Sequence, residues 1–317
     1  MGSKNSHNSK ILNNKISNKR FANFDNYIGN PNEITLLNDI NNEPYTKYTR
    51  NNSFCAFKSL YDIFYIIYSS KIKSIIFYDL IDNKKIIEIK NAHKKDITAY
   101  RHYADIYNER DLIISISLDD NNIKLWNVNN FECLLNIENV NEDGSLLSSC
   151  FLNDKNQIYI VTSNQDAYYV EPIKIFNLKG KIIKKINKSN NSVNFIDIYY
   201  DTKNSKIYIL VCNDDNVKSY DYKNNKIYKI YGENYRERYS IYIPNDDIYP
   251  DYLIMNNKEE LIQLNTDGKI RIWNFHSAML LKIINLDIEC QLKSFCLWNN
   301  EYLFVAKEIN MFSRIKR

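Results

Sequence analysis

From about residue 32 onward, apolar residues come in short runs, and clusters of Asn, Asp and Lys break the runs. Residues 97–137 show the pattern best. Ile97-Thr98-Ala99-Tyr100 reads as one strand and Leu112-Ile113-Ile114-Ser115-Ile116-Ser117-Leu118 as a second. Asp119-Asp120-Asn121-Asn122 makes a turn. Ile123-Lys124-Leu125-Trp126 is a third strand, with Lys124 facing away from its apolar neighbours, and Cys133-Leu134-Leu135-Asn136-Ile137 is a fourth. Short runs rich in β-branched and aromatic residues between turn clusters predict strands. Apolar positions do not recur with a 3.6-residue period, and the Asn-rich breaks come too often for helices of ordinary length. The chain is predicted to be all-β.

The four-strand order repeats along the chain. Strands are predicted near 54–58, 63–68, 74–80 and 85–89, then near 146–152, 158–163, 172–178 and 181–187, then near 193–199, 206–212, 216–222 and 226–231. A fifth unit has its third strand at Ile270–Trp273 and its fourth at Met279–Ile284, behind a long insert around 233–258. A sixth begins at 292–298 and 302–306. Near the end of each third strand an aromatic is followed at once by Asn or Asp: Tyr78-Asp79, Trp126-Asn127, Phe176-Asn177, Tyr220-Asp221 and Trp273-Asn274. The aromatics lie 48, 50, 44 and 53 residues apart. A period in this range marks a repeat array. Each unit is too small to bury its own apolar faces and must stack on its neighbours. The expected architecture is a set of four-stranded antiparallel sheets repeated radially.

These residues resemble the WD-repeat β-propeller family. Ala92-His93 stands where that family has Gly-His, followed by Ser115-Ile116-Ser117-Leu118-Asp119 and by Ile123-Lys124-Leu125-Trp126-Asn127. The resemblance implies a structural tetrad of His93, Ser115, Asp119 and Trp126, with the acid bonding the imidazole, the imidazole the hydroxyl, and the hydroxyl the indole N–H. The turn is one residue longer than the family pattern, so Asp120 is an alternative to Asp119. Elsewhere Tyr78, Phe176 and Tyr220 replace Trp, and Trp273 has no preceding His. The chain supplies five full blades and part of a sixth. Two arrangements stay open: a six-unit ring in which 309–315 is the third strand of the last blade and Ile34–Leu37 its fourth, or an incomplete ring with an open edge.

Charge and composition narrow the function. The net charge is +4, yet residues 1–24 hold Lys4, Lys10, Lys15, Lys19 and Arg20 and no acid, so the rest is nearly neutral. A neutral body argues against a duplex-binding face, which needs many phosphate-neutralising groups. Residues 1–30 are expected to be a disordered basic tail and 31–317 the repeat domain. The tail opens with Met1-Gly2-Ser3-Lys4-Asn5-Ser6, which fits the N-myristoylation pattern with Gly2 as acceptor. One acyl chain anchors weakly, and the basic residues would add attraction to an anionic membrane surface. None of the six cysteines forms a C-x-x-C pair or a zinc-spaced cluster, and no secretory signal is visible. The expected setting is cytoplasmic, peripheral on a membrane where Gly2 is acylated.

No nucleophile elbow or glycine-rich phosphate loop is present among six scattered glycines. The paired acids sit in turns, where solvated turn chemistry is their ordinary use. No cofactor or metal is expected. The resemblance implies a non-catalytic scaffold that binds other proteins through loops at the two ends of a central channel, with no nucleic-acid partner. Two alternatives are a truncated, degenerate relative without independent activity, and a propeller enzyme with a site at the channel mouth.

Overall fold

The computed structural model describes residues 35–36, 54–69, 73–141, 146–164, 172–186, 193–213, 216–232, 250–255, 259–265, 269–285, 292–298, 302–307 and 312–316. The predicted boundary near residue 30, the basic tail and Gly2 lie outside them. Among the described residues, 24 strands form six four-stranded antiparallel sheets.

The first described strand is short, β1 (Thr35–Leu36). Blade one follows with β2 (Phe54–Lys58), β3 (Phe64–Ser69), β4 (Ile75–Asp79) and β5 (Lys84–Ile89). Blade two has β6 (Ile97–Asp105), β7 (Arg110–Ser117), β8 (Asn122–Asn127) and β9 (Glu132–Ile137), with a 3₁₀ turn at Ile106–Asn108 between its first two strands. Blade three has β10 (Leu146–Asp154), β11 (Gln157–Asn164), β12 (Ile173–Asn177) and β13 (Ile182–Ile186). Blade four has β14 (Val193–Asp201), β15 (Lys206–Asn213), β16 (Val217–Asp221) and β17 (Lys226–Tyr231). Blade five has β18 (Pro250–Met255), β19 (Glu260–Asn265), β20 (Lys269–Asn274) and β21 (Leu280–Asn285). Its inner strand β18 falls inside the stretch that the sequence pattern leaves as an insert. The last sheet has β22 (Leu292–Trp298), β23 (Tyr302–Lys307) and β24 (Phe312–Lys316) in succession, and β1 pairs antiparallel with β24 to complete it.

In blades one to five the first strand is the inner one, and in the closing sheet it is β22. β2, β6, β10, β14, β18 and β22 touch their neighbours in an unbroken cycle that returns from β22 to β2. Of the two arrangements left open by the sequence, the closed six-unit ring is the one formed, with Thr35–Leu36 as its exchanged strand.

The apolar core lies between blades. One cluster joins Phe57, Tyr65, Ile67 and Phe77 of blade one to Tyr100, Ile113 and Trp126 of blade two. Others join blades two and three, three and four, and four and five in the same way. Among the described residues, blades one to five therefore bury their faces against their neighbours, as repeats that cannot fold alone must.

The sequence period reappears as a backbone period. In all five motif units the pairing of third and fourth strands slips by one residue at the aromatic: before Tyr78, Trp126, Phe176, Tyr220 and Trp273. A β-bulge bends its strand and increases the local twist. The Asn or Asp that follows builds the next turn. Asp79 Oδ1 accepts from the Ile81 N–H at 2.8 Å, Asn127 Oδ1 from Asn129 at 3.0 Å, Asn177 Oδ1 from Lys179 at 3.0 Å, Asp221 Oδ1 from Lys223 at 2.9 Å, and Asn274 Oδ1 from Ser277 at 2.9 Å. A short side-chain acceptor one position past the bulge stands in for a backbone carbonyl, which is why the repeat demands Asn or Asp there.

Candidate functional site

In blade two, β7 brings Ser115 and β8 brings Trp126 to one buried spot, and the connection before β6 adds His93. The Trp126 indole N–H donates to Ser115 Oγ at 2.8 Å, and His93 Nε2 lies 2.7 Å from the same oxygen. All three are buried. Burial holds the His93 imidazole far below its ordinary value, at about 3; the nearby Lys124 charge adds to the depression and Asp120 opposes it. The ring is therefore neutral at physiological pH. Its Nδ1 is buried without a hydrogen-bond partner among the described residues.

Asp119 does not join this set. It is exposed, while Asp120 is the half-buried acid of the turn and accepts from the Lys95 N–H at 2.7 Å and the Ser117 hydroxyl at 3.2 Å. The extra residue in the turn shifts the acid by one position, and Asp120 is engaged with backbone and Ser117 instead of the imidazole. Three of the four tetrad residues are thus brought together, and the acid is not among them.

The other motif aromatics occupy the same place with different partners. Trp273 is buried and donates to Gln263 Oε1 at 2.7 Å; Gln263 stands opposite Arg271 as Ser115 stands opposite Lys124. Phe176 and Tyr220 are buried by packing, and Tyr78 is half-buried with its hydroxyl donating to Asn83 Oδ1 at 2.8 Å.

A second tie recurs two positions before the aromatic. Lys124 Nζ donates to the Ala92 carbonyl at 2.6 Å, and Lys174 Nζ to the Val140 carbonyl at 2.9 Å. Each carbonyl lies in the connection that leads into that lysine's own blade. Lys174 is 5% exposed, so this ammonium is a core group. In blade three, where Val140-Asn141 replaces Ala92-His93, the lysine holds the connection without an imidazole. The alternation of Lys with apolar neighbours was visible in the sequence, but a Lys in a strand reads first as solvent-facing.

Among the described residues, one side chain links inner strands two blades apart. Arg101 on β6 places its guanidinium carbon 4.2 Å from the centre of the Phe195 ring on β14, two blades away, and donates to its neighbour's carbonyl, Tyr100 O, at 3.0 Å. Its charge acts on Asp197 of blade four and on the thiols of Cys55 and Cys150, from blades one and three. Burial still holds the Asp197 carboxyl above its ordinary range, and it raises the Cys55 thiol to about 11. Nothing in the sequence singled out Arg101.

On the face formed by turns between first and second strands, blades one and two meet through a buried acid. Asp111 accepts from the Leu60 N–H at 2.9 Å and lies 2.7 Å from His102 Nε2, whose ring stacks on Phe57 at 3.8 Å. Burial keeps His102 below its ordinary value, against the pull of Asp111. The Tyr61 hydroxyl donates to the Glu109 carbonyl at 3.1 Å. Farther round, the Asn153 N–H donates to the Tyr200 hydroxyl and its side-chain amide to the Tyr103 hydroxyl, both at 2.6 Å. The Asp111–Leu60 and Tyr61–Glu109 bonds, with the Asn108 N–H donating to Asp105 Oδ1, fix turns that carry exposed apolar side chains: Leu60, Tyr61, Ile106 and Tyr107, the last 79% exposed. Among the described residues no group of three or more His, Cys, Asp or Glu side chains is placed to hold a metal ion.

No protein-family model matches the chain, and a search of curated proteins found no similar sequence. Solved structures do match. The WD40 β-propeller domain of Doa1 superposes with a TM-score of 0.58 at 16% identity, over 79% of this chain and 74% of that one. The chain folds as a WD40-type β-propeller. The computationally designed Ika8 protein is similar as well, with a TM-score of 0.53 at 12% identity, over 84% of this chain and 70% of that one. At these identities the likeness speaks for the fold of the propeller alone.

Proposed function

We propose that the propeller is a non-catalytic scaffold that binds other proteins through the face carrying Leu60, Tyr61, Ile106 and Tyr107. The observation behind this is an apolar patch on turns that are themselves held by hydrogen bonds. Exposed aromatic and aliphatic side chains on a fixed backbone lose little entropy on docking, and such clusters supply most of the energy in protein interfaces. The buried polar groups have structural uses: His93 and Ser115 fix a blade, Asp111 and His102 join two blades, and Arg101 spans the tunnel.

The paired substitution Ile106→Asp with Tyr107→Asp tests the reading. Both side chains are exposed, so the fold is retained. Proteins captured from the native host by the wild-type propeller should be lost with the variant. An identical captured set for both would refute the assignment of this face. Tethering through a myristoylated Gly2 is a separate part of the proposal. Intact mass of the native protein reads acylation directly, and Gly2→Ala should move the protein off membranes.

A further inference from the structure

The outer strands of blades three, four and five differ from those of blades one and two. β13, β17 and β21 carry Lys184, Lys185, Lys226, Lys229 and Lys282 and no acid, whereas β5 carries Glu88 and β9 carries Glu132. On blade one the lysines are neutralised locally: Lys85 pairs with Glu88 at 3.1 Å and Lys84 with Asp82 at 2.9 Å. Lys185, Lys226 and Lys282 make no ion pair among the described residues. β21 also exposes more aliphatic side chains than the other two edges, three against Ile182 and Ile183 on β13 and Ile227 and Ile230 on β17. Met279 is 60% exposed, and Leu280, Leu281 and Ile283 are exposed around Lys282. Among the described residues β21 pairs only with β20, which leaves the N–H and C=O groups of its outer edge without strand partners.

We propose that β21 is a strand-addition site for an extended segment of a partner protein whose side chains alternate between acidic and apolar. An unpaired strand edge is a template for another strand. A strand added there bonds the free backbone groups and lays its alternate side chains on the two faces of the sheet. Its apolar side chains meet Leu280, Leu281 and Ile283, and its acids meet Lys282. Two competing occupants fit less well. A second copy of this chain would bring two basic edges together, and like charges across a strand pair destabilise it. A lipid surface would leave the edge N–H and C=O groups facing acyl chains that cannot bond them. The inference rests on the scaffold reading only in taking a protein partner, because the surface lies on the outer rim and not on the turn face.

The test titrates the full-length protein with a fluorescent, end-capped peptide of alternating glutamate and valine and follows anisotropy. Saturable binding is expected, weakened about tenfold or more by Ile283→Asp or by Lys282→Glu. Circular dichroism melts of both variants should match the wild type, since both side chains are exposed. N-methylation of alternate peptide residues keeps every side chain and removes backbone donors; it should abolish binding. Leu134→Asp on β9 and the paired Ile106→Asp, Tyr107→Asp variant should leave the affinity unchanged, so this inference and the turn-face reading can fail separately. The proposal is overturned if no saturable binding occurs, if the N-methylated peptide binds equally well, or if Leu134→Asp weakens binding as much as Ile283→Asp. It is equally overturned if the peptide fails to bind while phosphatidylserine vesicles co-sediment the protein in an Ile283-dependent way.

Discussion

Acid should loosen the propeller through His93, by an amount that follows from its surroundings. The imidazole is buried against Ser115 and Trp126, with its value moved from 6.5 to about 3. The folded state therefore resists the proton that the unfolded chain accepts. Stability from this group is fully present above the unfolded value and declines as pH falls from about 6.5 toward 3. One pKa unit corresponds to about 1.4 kcal/mol, so the loss is about 2 kcal/mol at pH 5. His102 is shifted in the same direction and contributes its own slope, so the wild-type profile alone does not isolate His93. The variant His93→Gln does. Glutamine cannot titrate but can still reach the Ser115 hydroxyl, and His102 is common to both proteins. Urea unfolding followed by tryptophan fluorescence at pH 7, 6 and 5 gives the two stability profiles. The wild type should lose about 2 kcal/mol more than His93→Gln over this range. Parallel profiles would refute the reasoning, because they would mean that the imidazole can be charged in place. The lack of an acid bonded to Nδ1 among the described residues is what makes the test sharp: Asp120, whose charge acts on the ring, already holds Lys95 and Ser117.

Other outcomes follow from neighbouring groups. Trp126→Ala should cost about 3–5 kcal/mol as a cavity in a buried blade contact, while Trp126→Phe should cost only about 1–2 kcal/mol through the lost bond to Ser115; equal costs in denaturant titrations would contradict the indole–hydroxyl bond. Lys174→Met keeps most of the buried stem but orphans the Val140 carbonyl, so it should destabilise by about 1–3 kcal/mol. A neutral result would show that water meets that carbonyl as well as the ammonium does. Among Cys55, Cys133, Cys150 and Cys212, only Cys133 is exposed. It should be the first of the four alkylated by iodoacetamide in peptide mass mapping, and faster labelling of Cys55, whose thiol burial has raised to about 11, would contradict the packing around the tunnel.

What could be read in advance depended on whether a residue's role is local. The Asx turns after Tyr78, Trp126, Phe176, Tyr220 and Trp273 are made within a few residues of chain, so their pattern survives as a visible period. Strand exchange at Thr35–Leu36 was legible because a ring of repeats leaves one sheet short. The inner strand β18 was not, since Pro250 and the Asn-rich stretch after Met255 break the apolar run that marks the other blades. The family spacing points to Asp119, but one added turn residue makes Asp120 the carboxylate that turns inward. Arg101 and Lys174 were hidden for a deeper reason. A lone cation in a β-strand has no local signature that separates a solvated side chain from one crossing a tunnel or capping a carbonyl 34 residues away in sequence. Such roles exist only once the ring has closed and brought distant backbone within reach. The same logic locates function in this molecule: the repeated residues build the ring, so recognition has to come from what breaks the repeat. The turn carrying Ile106 and Tyr107 and the edge at β21, with Leu280, Leu281 and Ile283 exposed, are two such departures.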